Sequence, residues 1–364
     1  MKERRLEHLD MAKGIGMVLV VLGHSTYMSD SWQVWIISFH MPLFFVIAGM
    51  LMRYHREEEK PFGRAVSKRC KKLLPVYLLF SLVNLFFLSQ LPIEYMENGD
   101  RTRYLIKQII QVITLSGISV LWFLGTLLIS EIVFLFLLKG KSCVREKGEH
   151  FYILCISVIM ILLMHVIPLV ELSFMEPATY GAYVVENIVT VIFRVIVAIL
   201  FLSIGYGMQL GREKIKLNRV ITGCLCILCF IYTIFITPKN GGVDMNLLLF
   251  RKVGWYIANA FIGTLAVLLL CDMLRDTENL LCKGVKYIGR NSLIIMLTHT
   301  DARVLLLAMI IEQVLRARIG YELVFMKPVI VLSVVFMVEI LIIEVVNRYV
   351  PFLNGRNKIH MKKG

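Results

Sequence analysis

IVTVIFRVIVAILFLSIGYGMQL, residues 188–210, is a run of 23 residues with one charge, Arg194. As an α-helix it would reach ~34 Å, enough for a bilayer core of ~30 Å. Similar runs at 12–28, 34–52, 73–91, 120–138, 151–169, 217–237, 254–272, 289–312 and 325–347 bring the count to ten. They predict an all-α polytopic membrane protein of about ten transmembrane helices, built as a single integral-membrane domain over residues 1–364.

The composition agrees. Hydrophobic residues make up 58% of the chain and charged residues 18%, against roughly 45–50% and 25% in globular proteins. Disordered, coiled-coil, collagen and small disulfide-scaffold classes are excluded by the same figures.

Orientation follows from Lys and Arg. With the N-terminus inside, the inner segments carry 29 basic residues and the outer ones 9. That alternation places both termini in the cytoplasm. The net charge of +14 is then explained by basic loops facing an anionic inner leaflet, with no nucleic-acid partner. The charged Met1–Asp10 segment, with no small-residue cleavage site after His24, predicts a retained first span rather than a cleaved signal peptide. Cys70, Cys143 and Cys282 fall in loops on the basic side, so no disulfide is expected. Cys224, Cys226 and Cys229 read as packing residues, and no metal site is expected. Ser203, Gly207 and Gly211 form a small-residue row suited to helix contact.

Ionisable residues inside a membrane are costly, and each is a functional candidate. Asp10, Lys13 and His24 lie in LDMAKGIGMVLVVLGHS. Lys13 and His24 are eleven residues apart, close to three turns, so they share a face ~16 Å apart along the axis. A neutral imidazole at His24 suits a general base, and equally a hydrogen-bonded histidine at the interface. In the second span, SFHMPLFFVIAGM puts His40 at a depth matching His24, and Pro42 predicts a kink that opens room for a ligand or water. In the ninth, IGRNSLIIMLTHTDARVLLL holds Asn291, Ser292, His299, Asp301 and Arg303. Spacings of seven and four residues place Ser292, His299 and Arg303 on one face, with Asp301 pointing elsewhere. Arg194 and Glu131 are the other deep charges, read as a structural ion pair. His165, Glu339 and Glu344 read as packing or end-of-helix residues. Trp32, Trp35, Trp122, Tyr180 and Tyr183 fit an interfacial belt or a sugar-stacking platform.

The basic stretch KRCKKLLP, with Lys68, Arg69, Lys71 and Lys72, lies in the predicted inner loop 53–72. It suits lipid headgroups, or a phosphorylated cofactor held by charge-assisted hydrogen bonds.

Taken together, LDMAKGIGMVLVVLGH, FHMPLFFVIAGM, KRCKKLLPVY, WFLGTLLISE and IGRNSLIIMLTH resemble, in this order, the integral-membrane acyltransferase 3 family. The likeness covers essentially the whole chain and extends to the branch of fucose 4-O-acetylase-like acetyltransferases. The resemblance implies transfer of an acyl group, usually acetyl from cytoplasmic acetyl-CoA, to a hydroxyl of a sugar or cell-envelope glycan in a bacterial inner membrane. No tightly bound cofactor is implied; acetyl-CoA or another acyl-CoA is the donor substrate. It implies that His24 is the essential catalytic histidine and that Lys13 assists. Two positions depart from the better-studied branch, which has arginine where this chain has Lys13 and an RxxR pair where it has Arg69 and Lys72. Lysine keeps the charge but loses the bidentate phosphate geometry.

On this reading acyl-CoA phosphates meet Arg69, Lys72 and their neighbours Lys68 and Lys71, and His24 takes the proton from the acceptor hydroxyl. His40, Arg303 or Ser292 are the candidates for oxyanion support, Asp10 and His299 stand with His24, Lys13 and His40 as catalytic candidates, and Arg194, Glu131 and Trp122 line a polar cavity. Transfer direct to the acceptor and transfer through an acylated His24 both stay open. The rival is an exporter without chemistry, because histidines and arginines also line transport pathways.

Overall fold

The computed structural model describes residues 6–25, 30–92, 100–140, 148–170, 179–214, 218–320 and 326–354; Cys143 lies outside the described residues. The described chain is almost wholly helical: α1 Glu7–Gly23, α2 Asp30–Ile37, α3 His40–Tyr54, α4 Phe62–Ser89, α5 Arg101–Ile113, α6 Trp122–Lys139 and α7 Glu149–Met164. These are followed by α8 Tyr180–Arg212, α9 Arg219–Ile236, α10 Val253–Met273, α11 Leu280–Arg290, α12 Ser292–Thr298, α13 Val304–Ile319 and α14 Met326–Tyr349. The strands Val243–Asp244 and Leu249–Phe250 are two residues each.

Polar caps set several starts by occupying a first-turn N–H. Asp100 accepts from Arg103, Thr179 from Ala182, Asn218 from Val220 and Asn279 from Cys282. Cys282 is therefore helical rather than in a loop.

Among the described residues, eight helical segments, α2 and α3 taken as one, are long and apolar enough to cross a membrane. Their outward faces carry large apolar side chains such as Phe86, Phe136, Leu162, Phe235 and Leu341, all exposed. Water would penalise such faces and lipid tails do not. The protein is thus an integral, multi-pass, all-α membrane protein.

Four segments depart from the sequence reading. The basic stretch is not a loop: α4 begins at Phe62 and runs through Pro75, so Lys68–Lys72 occupy its second and third turns. The break near Pro42 falls earlier, at Ser38–Phe39 between α2 and α3. Pro42 has no N–H to bond back to Ser38, and it sits in the first turn of α3, where that loss is tolerated. The ninth apolar run is divided, with α12 ending at Thr298 and α13 starting at Val304. Helical spacing therefore does not carry from His299 to Arg303. Finally, Glu339 lies inside α14 and is fully buried, not at a helix end.

The chain forms two compact units. The first comprises Met1–Ile47, Ile215–Asp244 and Arg251–Gly364; the second comprises Ala48–Lys214 and Met245–Phe250. In the first, α1 packs along α11 and also meets α10, α12 and α14. The α1–α11 approach is close because glycine stands at the contact on both sides. A Cβ at Gly14 would strike the Val285 carbonyl, and one at Gly289 the Asp10 carbonyl.

In the second unit, α6, α7 and α8 interlock around Phe134, Leu138, Ile156, Val195 and Tyr206. The small-residue row on α8 faces α7 at Ser203, whose hydroxyl lies 2.8 Å from that of Ser157, and at Gly207, which faces Ile153.

Candidate active site

The first unit gathers three histidines, each at a helix end. His24 closes α1, its backbone N–H bonding to the Val20 carbonyl at 3.1 Å. His40 opens α3 and His299 follows α12. The ring centroids of His24 and His299 are 5.4 Å apart, tilted by 47°, and His24 is also within electrostatic reach of His40.

The two buried histidines share one device. His299 Nδ1 donates to the Ile295 carbonyl at 2.8 Å, and His40 Nδ1 donates to the Ile36 carbonyl at 2.9 Å. A carbonyl only accepts, so in each neutral ring the lone pair is on Nε2. His299 Nε2 is buried with no hydrogen-bond partner among the described residues. His24, by contrast, is exposed. An accessible neutral imidazole can accept a proton from a bound hydroxyl.

Beyond His299 the chain turns through Thr300–Arg303. Ala302 N–H bonds to Thr298 O at 3.1 Å, and Leu305 N–H bonds to His299 O at 2.8 Å. Arg303 is exposed and left-handed, with φ 61°, a conformation that few non-glycine residues adopt. Asp301 is buried and accepts from the Thr300 hydroxyl at 3.3 Å. Ser292 stands at the far end of α12, seven residues or ~10 Å from His299. The adjoining Asn291 accepts from Asn347 and Asn354 at 3.1 and 2.7 Å.

Asp10 and Lys13 belong to a separate cluster. Lys13 Nζ is 2.9 Å from Asp10, whose other oxygen is 3.5 Å from Arg290; Glu7 pairs with Lys286 at 2.8 Å and with Arg290 at 3.4 Å. Nothing in the sequence singles out Arg290 among the basic residues; its register against α1 comes from the α1–α11 contact. Asp244 was likewise missed. It lies within electrostatic reach of both His24 and Tyr256, but one Asp in a polar segment carries no signal of that.

The second unit holds the remaining candidates. Arg69 is buried: Nε donates to Glu131 at 2.8 Å, and Nη1 donates to Glu57 at 3.2 Å and to the Ala65 carbonyl at 3.1 Å. Ala65, Arg69, Leu73 and Val76 form the inner stripe of α4, while Lys68, Lys71 and Lys72 are exposed. Burial pushes the Glu57 carboxyl up, but Lys60, Lys68 and Arg69 outweigh it and hold it down at about 2.

The expected Arg194–Glu131 pair gives way to a different pairing. Arg194 donates to the Asn246 carbonyl at 2.8 Å and the Ser116 carbonyl at 2.9 Å, with its guanidinium 5.4 Å from the Trp122 ring centre. Glu131 is nine residues further along α6, ~13 Å from Trp122, so it pairs with Arg69 instead. Trp122 is buried and sits beneath a cation rather than in an interfacial belt. Among the described residues no three His, Cys, Asp or Glu side chains are grouped so as to hold a metal ion.

The fold and this polar interior define a multi-pass membrane protein with three histidines gathered in one of its units. Residues 6–343 match the family model described as an acyltransferase domain, Acyl_transf_3. The chain belongs to that family and is an acyltransferase. No curated protein and no solved structure matches it.

Proposed function

We propose that this chain is a membrane O-acyltransferase that moves an acyl group, acetyl in the first instance, from acyl-CoA to a hydroxyl of a sugar or cell-envelope glycan. The observation that carries this reading is the accessible His24 ring against the buried His299, whose Nε2 has no hydrogen-bond partner among the described residues, in a chain of an acyltransferase family. The fucose 4-O-acetylase-like motifs favour a sugar acceptor. The distribution of basic residues favours cytoplasmic termini in a bacterial inner membrane.

In the proposed reaction His24 accepts the proton of the acceptor hydroxyl as its oxygen attacks the thioester carbonyl. The new C–O bond forms, the C–S bond breaks, and the imidazolium returns its proton to the leaving CoA thiolate. His299, with its lone pair on Nε2, shares the proton held at His24. Lys68, Lys71 and Lys72 meet the donor's phosphates as point charges. Arg69, taken up by Glu57 and Glu131, stiffens the helix that presents them.

The test is CoA release from acetyl-CoA by the purified protein, wild type beside His24→Ala. A positioned general base contributes about 10²–10⁴-fold, so the variant should lose that much turnover while staying folded. Wild-type rates in His24→Ala sink the assignment. Absence of any CoA binding turns the reading towards an exporter.

A further inference from the structure

Glu339 is fully buried inside α14, and its carboxyl oxygens lie 2.9 and 2.7 Å from the Thr298 hydroxyl. The same hydroxyl is 2.8 Å from the Ile294 carbonyl one turn back. A threonine hydroxyl has one hydrogen. If that hydrogen follows the usual bond to the carbonyl four residues back, none is left for the glutamate. Two oxygens at 2.7 Å then need a hydrogen between them, and the carboxyl is its source. The count closes when Glu339 donates to Thr298 Oγ1 and Thr298 donates to the Ile294 carbonyl.

Charge leads to the same answer. An ionised carboxylate buried without a cation is strongly disfavoured. Among the described residues Thr298 supplies all the hydrogen bonding to this carboxyl. Cations on the helices packed against α14 are engaged or exposed: Lys13 is with Asp10, Arg316 is with Glu312, and Arg303 and Arg318 at the two ends of α13 are exposed. On the helix before α12, Arg290 is with Glu7 and Asp10.

Position gives the pair its consequence. Thr298 is the last residue of α12, and His299 follows it directly, its ring against His24. We propose that Glu339 is held as the neutral carboxylic acid and that, through Thr298, it positions His299 beside His24. The turnover part of this proposal rests on the acyl-transfer reading; the protonation part stands apart from it.

The experiment uses the full chain in lipid nanodiscs at neutral pH. An infrared difference spectrum of wild type against Glu339→Gln should show the C=O band of a protonated carboxylic acid, and its absence overturns the neutral carboxyl. In CoA-release assays Glu339→Ala should lower kcat by about 10²-fold with little change in KM, the scale of a 1 Å misplacement near the reacting groups. Glu339→Gln should rescue that loss, because its amide N–H donates to Thr298 from the same place. If Glu339→Gln is as impaired as Glu339→Ala, the carboxylate charge matters and the proposal falls. If Glu339→Ala does not fold, Thr298→Val removes the same bridge and should show the same kcat loss. If wild type does not turn over at all, the acyl-transfer reading and the positioning part both fail, while the infrared band still decides the protonation.

Discussion

Arg69 Nε donates to Glu131 at 2.8 Å across 62 positions of chain, tying the basic end of α4 to α6. Glu57 takes the same guanidinium at 3.2 Å. The positive charge of KRCKK is thereby divided: Arg69 is turned inward to carboxylates, Lys68 is exposed but 3.4 Å from Glu57, and Lys71 and Lys72 face outward.

On the proposed reading, that division separates stability from donor binding. Removing one partner of a buried ion pair costs about 3–5 kcal/mol, so Arg69→Ala should lower the thermal midpoint sharply. Arg69→Met combined with Glu131→Gln should recover part of it. Lys71→Ala and Lys72→Ala should leave the midpoint in place and raise KM for the acyl donor. Thermal unfolding in detergent beside donor titration checks this; an unchanged midpoint in Arg69→Ala with a raised KM would overturn the division.

Glu57 sets a pH window. Its carboxyl is held at about 2 by Lys60, Lys68 and Arg69 against the upward push of burial, while an unfolded Glu titrates near ~4.3. A depressed folded-state value means that stability is present in full above the unfolded one and drains as pH falls through the folded one. Wild type should therefore exceed Glu57→Gln in thermal midpoint by a constant margin above pH ~5, and the margin should shrink as pH falls from ~4.3 towards ~2. A margin that stays level down to pH ~3 contradicts the assignment.

Gly289 and Gly284 lie in one helix and should respond oppositely. A methyl at Gly289 runs into the backbone of Asp10 and Gly14, which cannot give way, whereas one at Gly284 meets nothing within 4 Å. Gly289→Ala should force α1 from α11 at a cost of about 1–3 kcal/mol. Gly284→Ala should stabilise by about 0.5–1 kcal/mol through helix propensity. Paired melting curves decide it, and a neutral Gly289→Ala would mean that the two helices are not in such close contact.

Much of the architecture was readable from residue order, since a run such as 188–210 has one favourable environment and one backbone solution within it. The histidines were found because ionisable groups in apolar runs are rare. Their arrangement was only half legible. The depth match of His24 and His40 followed from counting turns. The contact of His24 with His299 did not, because the two lie 275 residues apart and α12 ends at the very residue before His299. Arg303 was misplaced for the same reason: spacing arguments assume a continuous helix, and the chain turns at Thr300–Arg303. Glu339 was passed over because one acidic residue in an apolar run looks alike whether it is spare or bonded.

Sequence alone determined that this protein is a bundle of apolar helices in a membrane, which residues are too costly there to be idle, and which family it resembles. These are properties of composition and local order, set by the transfer energies of side chains and the helical repeat. Tertiary structure decided the partners: Arg69 with Glu131 rather than with solvent, Arg194 over Trp122, and His299 against His24. Pairing depends on which helix faces meet and at what height. Both follow from distant close approaches, such as the one Gly14 and Gly289 allow, and a linear reading cannot see those.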